Sequence, residues 1–179
     1  MSDRTRFDDL ADAASRYGTL SLDNYAQIRS VAENVAIGFC RYLGGPGKCV
    51  FLVPPEGAWA PQPYQSGAFS VSGTGFLPLG PISFGLAVKV SRSGDWLRLV
   101  LTCSKNGPAM DIGIEGGRHF SLGLPISEAD LTELFAQLED HLIDWFKEQS
   151  DHYEHGAYGS REIGFEFVHA DPDDEASSA

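Results

Sequence analysis

The stretch Pro125 to Tyr153 constrains this fold more than any other, because it joins a helix start, a long apolar repeat and a one-sided run of acids. Ser127 has the chemistry of an N-cap with Asp130 three residues on, and Ile126 can pack against Leu131 as a hydrophobic staple. Leu131, Leu134, Phe135, Leu138, Leu142, Trp145 and Phe146 recur at three- and four-residue spacing, so a turn of about 100° per residue gathers them in one arc. An arc that apolar needs a large apolar surface beneath it. The opposite arc carries Asp130, Glu133, Asp140, Asp144, Glu148 and Asp151, with Lys147 the one base in the segment. A charged outer face is what any amphipathic helix needs, but the single sign is unusual. Asp140, Asp144 and Glu148 repel one another at i,i+4, each pair costing a few tenths of a kcal/mol, so a mere solubility face would mix signs. The acid arc is therefore a candidate docking surface for a basic or cationic protein partner.

The charge belongs to this end of the chain. Residues 1–126 hold 11 bases and 10 acids, whereas residues 127–179 hold 2 bases and 15 acids, for a net charge of −12. Such a balance disfavours nucleic acid and anionic membrane surfaces. The first residues lack the apolar run of a signal peptide and no later stretch approaches the ~18 apolar residues of a membrane span, so a cytoplasmic chain is expected. Cys40, Cys49 and Cys103 are odd in number, widely spaced and set among apolar neighbours, which favours reduced thiols over a disulfide framework.

Ahead of the acidic stretch, Phe7, Leu10, Ala11, Ala14 and Tyr17 fit one face of a short helix that Gly18 can end. Ser21 can cap a second helix through Tyr25, Ile28, Val31, Ala32, Val35, Phe39 and Leu43, which Gly44 stops. Lys48 to Val53 reads as a strand closed by Pro54-Pro55. From there to Gln65 the chain is Pro-rich and holds Trp59 and Tyr64, a loop whose aromatics are either partner anchors or plugs on the sheet. Ala68–Ser72, Ile82–Ser91, Trp96–Ser104, Ala109–Glu115 and His119–Leu124 read as a meander joined by Gly, Pro, Asn and Asp turns. Leu97, Leu99, Leu101 and Cys103 alternate with Trp96, Arg98, Val100 and Thr102, so the first set faces the core. Ile163, Phe165 and Phe167 alternate as a last strand, and residues 171–179 read as a disordered acidic tail beyond one domain at 1–170.

The chemical motifs are weak. Gly44-Gly45-Pro46-Gly47-Lys48 resembles a phosphate loop, but Tyr42 stands at the first required glycine, Cys49 follows the lysine, and no helix begins there. Glu148 with His152 and Asp144 with Glu148 make two-residue clamps, and the string His-Tyr-Glu-His is not a zinc-protease pattern, so no metal is expected. Gly73-Thr74-Gly75 lacks dinucleotide spacing, which leaves no cofactor implied. Cys49 and Cys103 sit in strand patterns that bury them, and His119 starts a strand beside Arg118, so no nucleophile is paired with a base. The expectation is an α+β chain, a two-layer antiparallel meander of about five to seven strands covered by N-terminal helices and a long C-terminal helix. Its expected role is a non-enzymatic interaction or regulatory domain of inhibitor, immunity or chaperone type, with partner contacts at the acid arc, Trp59 and Tyr64. The alternative is a small-molecule-binding domain or enzyme with an apolar cavity between sheet and long helix, lined by Phe69, Phe84, Trp96, Trp145 and Phe146.

Overall fold

A computed structural model of the chain describes residues 3–156 and 166–170. The first element is a single helix, α1 (Arg6–Leu43), rather than the two that Gly18 suggests. Thr5 caps it reciprocally, its hydroxyl accepting from the Asp8 N–H while the Asp8 carboxylate accepts from the Thr5 N–H at 2.7 Å. A glycine inside a helix costs only about 1 kcal/mol, which the buried turns beyond it outweigh. Ser21, a possible cap, instead donates to the Tyr17 carbonyl at 2.9 Å from inside the helix. The helix ends at Gly44, whose positive φ of 65° lets its N–H reach the carbonyls of Cys40 and Arg41.

After α1 come β1 (Val50–Val53), a 3-10 turn at Gln65–Ala68, β2 (Ile82–Lys89), β3 (Asp95–Asn106), β4 (Ala109–Ile114) and β5 (His119–Gly123). The sheet is antiparallel in the order β1-β2-β3-β4-β5, as the meander pattern implies. Phe69, expected inside a strand, makes only an isolated bridge to Phe84, directly after the 3-10 turn. The second long helix, α2 (Glu128–Glu154), begins as its sequence requires, Ser127 accepting from the Asp130 N–H at 3.1 Å. The last strand is β6 (Glu166–His169). It lies beside Asp95–Arg98 of β3, on the edge that β4 takes farther along at Leu101–Asn106. Ile163 and Phe165, expected in that strand, and the tail 171–179 fall outside the described residues.

Both helices serve one face of the sheet. Ile82, Phe84, Leu86 and Val88 of β2 and Leu97, Leu99, Leu101 and Cys103 of β3 pack in one cluster with Ile28, Val35 and Phe39 of α1 and Leu134, Leu138 and Leu142 of α2. Phe135 joins the helices, its ring 5.9 Å from those of Phe39 and Tyr42. The α2 arc is buried in its first half, with Leu138 at 0 % exposure, but Phe146 is 38 % exposed. Leu142 is the last buried residue of α2, and beyond it the outer end of the helix leaves the core. There Trp145 and Phe146 meet Phe167 of β6 at 5.9 and 6.2 Å. At the other end of the molecule the first turns of α1 project as an arm, with Phe7 73 % and Leu10 66 % exposed.

The opposite sheet face is roofed by the Pro-rich loop. Val53, Trp59, Ala87 and Trp96 form a second cluster there. Arg98 fastens it: its guanidinium donates to the carbonyls of Pro54 at 3.1 Å and Gly57 at 2.8 Å, and pairs with Glu166 at 2.6 Å. One buried cation thus ties loop, sheet and β6 together.

Cys40 and Cys49 are joined as a disulfide, against the expectation of reduced thiols. Gly44 and the turn after it reverse the chain, so β1 runs back along α1 and brings the two Cα atoms to 5.4 Å, within bonding range. Cys103 does behave as a core thiol, and burial pushes it up to about 12.

Candidate interaction surfaces

The six acids proposed as a docking surface do share one side of α2. Glu133, Asp140, Asp144, Glu148 and Asp151 are exposed and Asp130 is half-buried. Their spacing keeps them within about a quarter of the helix circumference. Among the described residues none of Asp130, Glu133, Asp140, Asp144 and Asp151 is ion-paired to a lysine or arginine. Their field is felt by a neighbour: the Tyr42 phenol is raised above its ordinary value, first by a hydrogen bond with Glu139, then by desolvation and by the charges of Glu139, Asp140 and Glu133.

The two aromatics of the Pro-rich loop are separated in role. Trp59 is 7 % exposed and lies under the loop, its ring facing the Arg98 guanidinium at 5.7 Å. It is a plug on the sheet and not an exposed anchor, because the apolar strip Val53, Ala87 and Trp96 offers it more buried area than solvent does. Tyr64 is half-buried, its hydroxyl accepting from the Ala60 N–H at 3.0 Å. Its other side lines a groove of about 630 Å³ between the C-terminal half of α1, β1 and the turn at Pro63–Gln65. The sequence offered no sign of this groove, since nothing local distinguishes an edge strand from a central one.

The residues named for an apolar cavity do not converge. Phe69 and Phe84 are sealed in the core, Trp96 is on the opposite sheet face, and Trp145 and Phe146 are at the outer end of α2. A smaller polar recess, about 270 Å³, opens instead on the outer sheet face. Cross-strand pairing puts Ser83, Thr102, Gly113 and His119 in one transverse row, with the Ser83 and Thr102 hydroxyls 2.7 Å apart. Gly113 makes room for the imidazole, since a Cβ there would stand 2.6 Å from His119 Nδ1. Glu56 and Glu115 complete the walls.

Among the described residues no group of three or more His, Cys, Asp or Glu side chains could hold a metal ion, and no helix is long and apolar enough to cross a membrane. Comparison with known proteins finds no similar family model, curated protein or solved structure.

Proposed function

We propose that this chain is a non-enzymatic interaction or regulatory domain that docks a basic protein surface on the acid arc of α2. The observation that carries the reading is the single-signed, outward-facing set Asp130, Glu133, Asp140, Asp144, Glu148 and Asp151 on a helix whose first half is fixed in the core. A rigid helix presents those charges without ordering cost, and their attraction extends over a Debye length of ~8 Å at physiological salt. Charge of this kind accelerates encounter more than it slows departure. The test replaces Asp140 and Asp144 with Asn and Glu148 with Gln, then compares what the immobilised wild-type and triple-variant proteins capture. A partner retained by the wild type should associate more slowly with the variant, by stopped-flow, with the difference shrinking as salt rises. Identical capture and an unchanged association rate would leave the arc as a solubility face.

A second reading, small-molecule binding, is favoured by the recess over Ser83, Thr102, Gly113 and His119. Its hydroxyls, imidazole and two carboxylates suit a small polar ligand with donor groups, not the apolar one expected from the sequence. A thermal-shift screen of polar metabolites against wild type and a Ser83→Ala, His119→Ala variant separates the two: stabilisation confined to wild type supports this reading.

A further inference from the structure

The groove beside β1 joins three features that belong together in one kind of site. The first is an unpaired strand edge. The Lys89 N–H donates to the Cys49 carbonyl at 2.9 Å, and Val50 is in register with Val88. In an antiparallel pair such bonds alternate, so Cys49, Phe51 and Val53 turn their backbone groups toward β2 while Val50 and Leu52 turn theirs away. Among the described residues no hydrogen bond reaches those outward N–H and C=O groups. Val50 is 2 % exposed, so the edge offered to the groove, which Val50, Phe51 and Leu52 line, is chiefly that of half-buried Leu52.

The second feature is an apolar wall opposite the edge. Ala36 and Ile37 of α1 line the groove together with Tyr64, and Ile37 is 61 % exposed although it stands beside a hydrophobic core. The third is charge. In a chain of net charge −12, this groove has Arg41 and Lys48 at the end where α1 turns into β1, and neither has a carboxylate partner among the described residues. Glu33, the one acid lining it, is neutralised by Arg29 at 3.0 Å. The Cys40–Cys49 disulfide closes the same end and holds the strand edge at a set distance from the helix wall.

From this we infer that the groove binds an extended segment of a partner protein, added as a strand to β1, with alternating apolar side chains against Ile37 and Tyr64 and an acidic residue at Arg41 and Lys48. Strand addition supplies affinity through main-chain hydrogen bonds and specificity through every second side chain. An acidic segment matches the basic rim, as a basic partner matches α2, so the domain has two surfaces of opposite chemistry. The inference does not rest on the α2 reading.

The test uses a displayed library of random twelve-residue peptides, selected on the full-length protein under non-reducing conditions. Two variants serve as controls. Leu52→Pro deletes an outward N–H without touching the β1–β2 ladder, a place where an edge strand accepts proline. Ile37→Glu puts a charge on the apolar wall at an exposed helix position and leaves the core intact. Peptides rich in alternating apolar and acidic residues are expected to be enriched on wild type. By fluorescence anisotropy they should bind each variant at least tenfold more weakly, and Arg41→Glu with Lys48→Glu likewise. Circular dichroism and melting curves matching wild type show that the variants fold. The inference is overturned if no peptide separates wild type from folded Leu52→Pro or Ile37→Glu, if the selected peptides are basic, or if light scattering shows that a second copy of the chain fills the groove.

Discussion

Gly18 and Gly38 lie on the same helix, yet alanine is expected to act on them with opposite sign. At Gly18 the backbone is helical and an added Cβ meets nothing within 4 Å, so Gly18→Ala should stabilise the helix by about 0.5–1 kcal/mol. At Gly38 the same Cβ would stand 2.5 Å from Cζ of Phe135, a ring already confined between Phe39 and Tyr42. Overpacking there should cost about 1–3 kcal/mol and override the better helix propensity. Urea titration of the two variants decides it; a gain at Gly38 would show that the ring yields. Asp95 offers a test by pH. His169 Nδ1 is 2.9 Å from its carboxylate, and chiefly this contact, then Ser91, holds the group below the usual aspartate range. A depressed folded value means the stabilisation is complete above the unfolded aspartate pKa of about 3.9 and is lost as pH falls through the lower folded value. Carboxyl carbon titration by NMR should show Asp95 with a low midpoint in wild type and a higher one in His169→Ala. Equal midpoints would remove the contact.

At the scale of elements, α2 carries its buried contacts and its proposed docking face on opposite sides. Leu134 and Leu138 anchor it, while Asp140, Asp144 and Glu148 stand in an i,i+4 row in solvent. Neutralising Asp140 and Asp144 relieves repulsion worth a few tenths of a kcal/mol, so that double variant should unfold at the same or slightly higher urea concentration. Loss of more than about 1 kcal/mol would mean the acids support the fold, since solvent-facing substitutions rarely cost that much. The start of α2 was legible because cap, staple and apolar period are local. The unbroken course of α1 was not, because Gly18 and Ser21 carry stop and start chemistry that buried contacts farther along the helix override. Trp59 was undecided for a related reason: a loop aromatic becomes an anchor or a plug according to what the fold puts beneath it.

For the whole molecule, the Cys40–Cys49 bridge closes a short loop between the end of α1 and the sheet. With a sequence separation of 9, loss of that cross-link should destabilise the chain by about 2–3 kcal/mol on the chain-entropy estimate. Unfolding with and without dithiothreitol, and of Cys40→Ser, measures it; no difference would mean the bridge is not formed in solution. Patterns within a few residues established the α+β class, the antiparallel meander, the start of α2 and its acid side, because caps, turns and periodicity act through neighbouring dihedrals. Tertiary structure decided what depends on segments distant in sequence. Arg98 finds Glu166 and the loop carbonyls, β6 chooses the flank of β3, and the reversal between α1 and β1 brings two cysteines together. The groove belongs to the same class: Ile37, Arg41, Lys48 and Leu52 carry no common motif, and only the position of β1 at the sheet edge leaves its backbone groups facing them.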